Sequence, residues 1–357
     1  MQSQVHGGDI YSAEYSNDFS ISTSPLGMPD GVRKAYIESV NTLSQYPDVR
    51  CRELRTVISK EFLIPKEWIV CSAGAAELIY AVANAIRPRS GLIIAPSFSE
   101  YETALRLSGC TDIRFYTCRE ESGFLIGEDI LDSITDDLDL FYLCNPNNPT
   151  GVLVSFELML EIVERCRQKH VLLVLDECYV GLLRYPKQVT MLRRLEGNEY
   201  LFILNAFTKL YSVPGLRLGV GVTSSRPLLE KVRSCMQPWN VSAAAQACGI
   251  AALRDKAYVH RVRETVQEEM DFLKSSFDRI GITWYGSSSN FMFFRGPEDL
   301  FDRCAAEGIL IRDCSNYRGL EPGYFRVSCR TRRDNEKLCG ILAGIYAEED
   351  YRLRKQK

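Results

Sequence analysis

The sequence predicts an α/β protein built on a mostly parallel sheet, followed by a smaller α+β unit. Three observations carry that prediction. Short, near-continuous apolar runs recur at residues 68–71, 91–95, 140–144, 171–175 and 201–205, with 218–222 a further candidate. Segments of helical period, such as 76–86, 101–107 and 156–169, separate them. Strands that are apolar throughout and alternate with helices belong to a sheet covered on both faces. After about Pro238 the pattern changes. A long helical stretch from 242 to roughly 278 precedes short strand-like runs at 283–284, 291–294, 310–312 and 324–328, with polar turns such as Gly286-Ser287-Ser288-Ser289 and Arg318-Gly319 among them. The expected division is an N-terminal arm over 1–40, which has little periodic structure and packs on the second unit, a large domain over 41–238, and a linking helix with a small domain over 239–357.

Bulk composition agrees with this and excludes several function classes. The chain has 357 residues, 46% of them hydrophobic, enough for two domains with sizeable cores. A formal net charge of -3 gives no general basic footprint for nucleic acid. No apolar run approaches the roughly 20 residues of a membrane span, and the first ten residues lack the apolar stretch of a secretory signal. A cytoplasmic protein is expected. The thirteen cysteines include no C-x-x-C pair, and His6, His170 and His260 are far apart in sequence, so no metal site is expected. The thiols, Cys71, Cys144 and Cys178 among them, read as small buried hydrophobes kept reduced.

Four motifs fall where apolar strands end. The first is Phe207-Thr208-Lys209, followed by Pro214-Gly215-Leu216-Arg217. A lone lysine at a strand end is usually a solvated charge. Here a hydroxyl on Thr208 and the guanidinium of Arg217 can share one phosphate, and Gly215 lets the chain turn back toward it. A lysine amine forms an imine with an aldehyde only when neutral, and burial beside cations favours that form. The second motif is Asp176-Glu177-Cys178-Tyr179, directly after five apolar residues. A buried acid needs a partner, and the pyridinium nitrogen of pyridoxal 5′-phosphate is one. Tyr179 is placed to hydrogen-bond the phenolic oxygen of that ring. A magnesium-binding acid is the competing reading, but the chain has no phosphate-loop motif to go with it.

The third motif, Asn145-Pro146-Asn147-Asn148-Pro149-Thr150-Gly151, could be a plain turn. Its prolines fix the backbone around Asn148, which would aim a neutral donor at the phenolic oxygen. The fourth, Ser72-Ala73-Gly74-Ala75-Ala76-Glu77, carries a strand through small residues into a helix. The free N–H groups and positive dipole at that helix start make an anion site at Gly74, Ala75 and Ala76. Two accessory features fit the same ligand. In Pro96-Ser97-Phe98-Ser99-Glu100-Tyr101, either Phe98 or Tyr101 could stack on a flat ring. Arg312 and Arg326 lie in short strands that otherwise look buried, where a guanidinium needs an anion such as a substrate carboxylate or phosphate.

Together these residues resemble the class I and II aminotransferase family, the fold-type I pyridoxal-phosphate enzymes, over nearly the whole chain. The resemblance implies a seven-stranded sheet in the large domain. It assigns Lys209 to the cofactor aldehyde, Asp176 to the ring nitrogen, Tyr179 and Asn148 to the phenolic oxygen, and Tyr101 to stacking on the ring. Phosphate contacts fall to Gly74, Ala75, Ala76, Thr208 and Arg217, and the substrate carboxylate to Arg326, with Asn148 beside the substrate. Tyr46, in Tyr46-Pro47-Asp48, matches a tyrosine that reaches the neighbouring subunit's cofactor, which implies a homodimer acting on a small amino-acid substrate.

Two branches of the family compete: transaminases acting on histidinol phosphate, and decarboxylases acting on threonine phosphate. His6-Gly7-Gly8-Asp9, Phe207-Thr208-Lys209-Leu210-Tyr211 and Ile311-Arg312-Asp313-Cys314-Ser315-Asn316-Tyr317 resemble the decarboxylases more. By that analogy His6 and Arg312 hold a substrate phosphate. Asn205-Ala206 departs from the Arg-Ser usual there and removes one phosphate-binding hydroxyl. A non-catalytic pyridoxal-phosphate-binding regulator is the alternative of another class. It would carry a DNA-binding segment ahead of this region, and the family-like sequence begins within the first few residues.

Overall fold

The computed structural model describes residues 6–355, with the side chains of 350–355 left aside. Its elements in chain order are β1 (Asn17–Asp18), α1 (Asp30–Ser39), α2 (Arg52–Phe62), β2 (Ile69–Ser72), α3 (Ala75–Ile86), β3 (Ser90–Ala95), α4 (Glu100–Leu107) and β4 (Asp112–Thr117). There follow β5 (Leu140–Cys144), α5 (Phe156–Gln168), β6 (Leu172–Asp176), β7 (Leu201–Ala206), α6 (Phe207–Leu210), β8 (Gly219–Val222) and α7 (Arg226–Ser234). The remainder comprises α8 (Ala243–Arg254), α9 (Lys256–Ile280), β9 (Trp284–Tyr285), β10 (Phe291–Arg295), α10 (Leu300–Ala306), β11 (Ile309–Leu310), β12 (Arg312–Asp313), β13 (Tyr324–Ser328) and α11 (Arg332–Lys355).

Seven strands form the large sheet in the order β2-β8-β7-β6-β5-β3-β4. All neighbours are parallel except β8, which runs against both β2 and β7. Because successive side chains point to opposite faces, each buried strand feeds two cores. Leu140, Tyr142, Val174, Phe202 and Leu204 pack beneath α3, α4 and α7. Phe141, Leu143, Leu173, Leu175 and Ile203 meet the apolar faces of α2, α5, α8 and α9 on the other side. This double burial is why the strands read as uninterrupted apolar runs.

The edge strand β4 was not anticipated. Asp112 and Arg114 interrupt its apolar residues, and it is only half-buried along its length. The helix α1 also falls in a stretch expected to lack periodic structure; few of its residues are buried, Val32 and Ser39 among them. The helical stretch from 242 to 278 is two helices, broken at Asp255, whose carboxylate caps α9 through the Tyr258 N–H.

The smaller sheet is antiparallel, in the order β12-β13-β10-β9. The run 310–312 was expected to be one strand but divides at Ile311. β11 pairs in parallel with β1, while β12 pairs with β13. The N-terminal segment is tied further to this side of the molecule, because Phe19 accepts from the Ser328 N–H and Arg330 donates to the carbonyls of Asp18 and Ile21. It also reaches the large sheet, where the Ser24 N–H donates to the Lys209 carbonyl at 2.8 Å. Among the described residues no helix is long and apolar enough to cross a membrane.

Close backbone approach at one glycine joins this fold to the site. Gly219 pairs with Ser72 at the β2–β8 edge, and a Cβ there would lie 2.5 Å from the Ala75 nitrogen. Gly219→Ala is therefore expected to destabilise the protein by about 1–3 kcal/mol through overpacking. Denaturant unfolding checks this, and a variant of unchanged midpoint would contradict it.

Candidate active site

Three adjacent strands of the large sheet deliver their ends to one edge. Asp176 is the last residue of β6, Asn148 follows β5, and Lys209 stands in α6 immediately after β7. The register aligns Cys144 with Asp176 and Asp176 with Leu204, so residues distant in sequence become neighbours at the carboxyl ends of parallel strands, where such sheets bind ligands.

Asp176 is buried, and both its oxygens are used. Oδ2 accepts from the Tyr101 hydroxyl at 2.7 Å and Oδ1 from the Cys178 N–H at 2.9 Å. These donors offset the loss of water around a charge at the end of an apolar strand. Lys209 is affected in the opposite sense. Its amine is pushed down to about 8, first by removal from water and then by the positive charge of Arg326, with Arg217 adding to it and Asp176 opposing. Its Nζ lies 5.6 Å from the centre of the Tyr179 ring. Tyr179 is itself buried and packs edge-on against Phe291, and burial raises its hydroxyl pKa.

The start of α3 has no side-chain cap, which leaves its first N–H groups open. Gly74 precedes it with φ of 89°, and a Cβ at Gly74 would lie 2.5 Å from Arg217 Nη2. Only a glycine tolerates both that backbone and that guanidinium. Ser72 closes the turn by donating to the Gly74 carbonyl at 2.9 Å. Arg217 is braced by the Pro214 carbonyl at 3.1 Å. Gly74, Ala75, Ala76, Thr208 and the remaining N–H groups of Arg217 thus form a cradle of donors that suits a phosphate. Glu77, one turn into the helix, binds the Ala73 N–H at 2.6 Å and Asn240 at 2.7 Å, which fixes the cradle to the segment carrying Trp239.

Across the site, Asn148 Oδ1 accepts from Arg326 Nη1 and from the Tyr317 hydroxyl. With its oxygen taken twice, the amide presents its nitrogen as donor, which suits a phenolate. Arg326 also donates through Nη2 to the Ser20 carbonyl at 2.8 Å, while its buried Nε has no hydrogen-bond partner. Arg312 is buried too, with Nη2 on Asn316 at 2.7 Å and its guanidinium 5.2 Å from the Tyr317 ring centre. Arg312 and Arg326 face each other in the β12–β13 register, and no carboxylate ion-pairs with either among the described residues. The residues present fit pyridoxal phosphate: a neutralisable lysine, an acid, an amide donor, an anion cradle a Cβ would fill, and an orphaned guanidinium nitrogen.

Two expected residues are placed differently. Tyr101 was expected to stack on the cofactor ring, but it has no exposed surface. Its ring stacks instead on Tyr142, at 5.1 Å and 8°, behind Asp176. Of the two candidates for stacking, this leaves the half-buried Phe98, set edge-on to Tyr101 at 5.7 Å. His6 pairs through Nε2 with Glu100 at 3.0 Å, with its ring 5.8 Å from Phe98, so its imidazole already has an acid partner. Tyr46 lies outside this cluster, 80% exposed and stacked on Trp239 at 4.6 Å. Tyr317 closes the segment that resembles the decarboxylases, but sequence reasoning assigned it no role. The signal for it was a hydroxyl in the turn just after Arg312, one turn among many.

Fold and site together define an enzyme that works through pyridoxal 5′-phosphate. Comparison with known proteins makes this specific. Residues 16–342 match the model of the family described as aminotransferase class I and II. The threonine-phosphate decarboxylase of Salmonella typhimurium is 34% identical over 353 residues, covering 96% of each chain. The histidinol-phosphate aminotransferase of Moorella thermoacetica is 31% identical, over 91% of this chain and 84% of that one. The crystal structure of the histidinol-phosphate aminotransferase from Clostridium acetobutylicum superposes with a TM-score of 0.87 at 27% identity, covering 93% of this chain and 99% of that one. The chain belongs to the class I and II aminotransferase family, and its cofactor is pyridoxal 5′-phosphate.

The lowered amine of Lys209 has a kinetic signature. The neutral fraction grows as pH rises through the folded-state value, so capture of pyridoxal phosphate by the apo-protein should accelerate up to about 8 and then level off. An unperturbed lysine would keep accelerating toward 10.5. Arg326→Met removes one cause of the depression and should move the midpoint upward. Stopped-flow absorbance against pH measures both, and Lys209→Ala should show no capture at all.

Proposed function

We propose that this enzyme decarboxylates an amino acid with a phosphorylated side chain, most nearly O-phosphothreonine, in the cytoplasm and as a homodimer. The observation that carries this reading is the pair Arg312–Arg326. Like charges directly opposite in an antiparallel pair repel, and here both are buried with no carboxylate ion-paired to either among the described residues. A substrate with one carboxylate and one phosphate would neutralise both at once. Histidinol phosphate, a phosphorylated amino alcohol, has no carboxylate to offer. The similarity to a threonine-phosphate decarboxylase along 96% of the chain supports the same substrate, and in this reading the reaction would belong to corrinoid (cobalamin) biosynthesis.

In this reading Lys209 would hold the cofactor aldehyde and, once the carboxylate has left as CO2, would deliver a proton to the substrate α-carbon. Asp176 keeps the ring nitrogen protonated, and Asn148 and Tyr179 donate to the phenolic oxygen. The Gly74–Ala76 turn, Thr208 and Arg217 hold the cofactor phosphate. When bound, the cofactor supplies an electron sink for the bond that breaks. The protein's part is to choose that bond by fixing the substrate carboxylate with Arg326, whose Nε has no hydrogen-bond partner, and the side-chain phosphate with Arg312. Phe98 stacks on the ring. His6, held by Glu100, lies beside Phe98.

Supplying threonine phosphate and, separately, glutamate with a keto acid, while assaying CO2 and keto-acid products, tests the reaction. CO2 from threonine phosphate is expected. Keto acid without CO2 would establish a transaminase, the reading favoured by the high structural similarity to a histidinol-phosphate aminotransferase. Arg326→Lys should lower kcat/KM by about a hundredfold, since it removes the planar donor set from a buried anion site.

The dimer rests on Tyr46. Its exposed ring, stacked on a Trp239 that is 45% exposed, belongs to a stretch of chain that also carries the exposed apolar residues Tyr36, Ile37, Val40, Leu43 and Val49. Exposed apolar residues concentrated in one stretch of chain suit an interface, and in a dimer Tyr46 would reach the partner subunit's cofactor phosphate. Tyr46→Phe should weaken pyridoxal-phosphate binding about tenfold with the dimer intact by analytical ultracentrifugation. Val40→Glu combined with Leu43→Glu should yield monomers. Unchanged affinity and mass in these variants would remove the shared-site reading.

A further inference from the structure

Tyr101 belongs to a buried chain of contacts that the cofactor reading does not use. Its hydroxyl donates to Asp176 Oδ2 at 2.7 Å, and no part of the side chain reaches solvent. Its ring lies nearly parallel on Tyr142 at 5.1 Å. Tyr142, also fully buried, donates to the Ile79 carbonyl at 2.7 Å. Ile79 lies in α3, the helix whose first residues form the phosphate cradle. The two sheet-edge features that bracket a pyridoxal ring, an acid at one end and an anion cradle at the other, are thus tied through two tyrosines under the sheet.

We propose that Tyr101 is a positioning residue for Asp176, and that the Tyr101–Tyr142 stack holds that carboxylate in register with the start of α3. The physical reason lies in how the carboxylate is held. The Cys178 N–H fixes only Oδ1, so without a second donor the group can rotate about its Cβ–Cγ bond. The Tyr101 hydroxyl fixes Oδ2 and sets the plane in which a third donor, the pyridinium N–H, must approach. A buried phenol serves here because its hydroxyl stays protonated. Burial and the neighbouring carboxylate both push its pKa upward, so it remains a donor throughout the working range. The opposite end is equally fixed, since Tyr142 cannot slide without losing the Ile79 carbonyl.

This inference rests on the assignment of Asp176 to the ring nitrogen, and the experiment separates the two. Holoenzyme is prepared with pyridoxal phosphate labelled with nitrogen-15 in the ring. The nitrogen chemical shift and the cofactor dissociation constant are then measured for wild type, Tyr101→Phe, Asp176→Asn and the double variant. Phenylalanine keeps the ring that packs on Tyr142, so the fold is retained; Tyr142→Phe, which loses only the bond to Ile79, is a second and milder variant. Tyr101→Phe is expected to weaken cofactor binding about tenfold, the effect of one charge-assisted hydrogen bond, and to move the ring nitrogen away from its pyridinium shift. Tyr142→Phe should do the same to a smaller degree. In the Asp176→Asn background, Tyr101→Phe should add nothing, because a residue acting through Asp176 has no further effect once the acid is gone. A purely structural tyrosine would weaken both backgrounds equally, and that additive result, or a Tyr101→Phe holoenzyme with wild-type shift and affinity, overturns the proposal. If Asp176→Asn itself leaves the nitrogen protonated, the assignment of Asp176 fails, and this inference with it.

Discussion

Arg326 donates to Asn148 Oδ1 on the large-sheet side and to the Ser20 carbonyl on the N-terminal side. One guanidinium on β13 therefore joins the small sheet, the turn after β5 and the N-terminal segment around a single point. It also sets the electrostatics of the site, since its charge is the second cause, after burial, of the depressed Lys209 amine. The same cation that would receive a substrate carboxylate keeps the lysine ready to react before substrate arrives. Binding an anion there would return part of that charge and raise the lysine's proton affinity at the stage when a base is wanted.

The remaining charges follow the same logic. Lys209, Arg217, Arg312 and Arg326 surround the site, and Asp176 is the acid that faces them at the strand ends. Arg312 and Arg326 are the buried pair among these cations, and the cost of their burial is offset when phosphate and carboxylate groups enter. Surface ion pairs elsewhere, such as Arg106–Glu102 and Arg167–Glu164, sit in water and contribute little. Contacts between the two sheets are better placed to matter. Glu120 accepts from Tyr285, Tyr324 and Arg295, and Phe124 packs edge-on to Tyr285, Phe293 and Tyr324. These hold the small sheet over the large one, and with it the arginines over the strand ends.

Much of the large sheet was legible because its central strands are buried on both faces, so no polar alternation blurs them. The limits at 140–144 coincide with β5, and those at 201–205 fall one residue short of β7. Where one face is open the signal fails: β4 carries Asp112 and Arg114, and α1 buries little. The site motifs were legible for a related reason. Small residues running from a strand into a helix, an acid closing an apolar strand, and an asparagine between prolines are each local combinations that suit a ligand at a strand end.

What the sequence determined by itself was the architecture, the family, and the cofactor with its main candidate ligands, because these are written in short local patterns whose chemistry needs no distant partner. Tertiary structure alone decided the geometry around Asp176 and Arg326. Tyr101 and Phe98 lie on the same turn of chain, and only packing puts one behind the carboxylate on Tyr142 and leaves the other at the site. Arg312 and Arg326 read as two separate buried cations until the β12–β13 register sets them face to face. Hydrogen-bond partners and cross-strand neighbours are set by how elements far apart in the chain dock, and no local pattern encodes that distance.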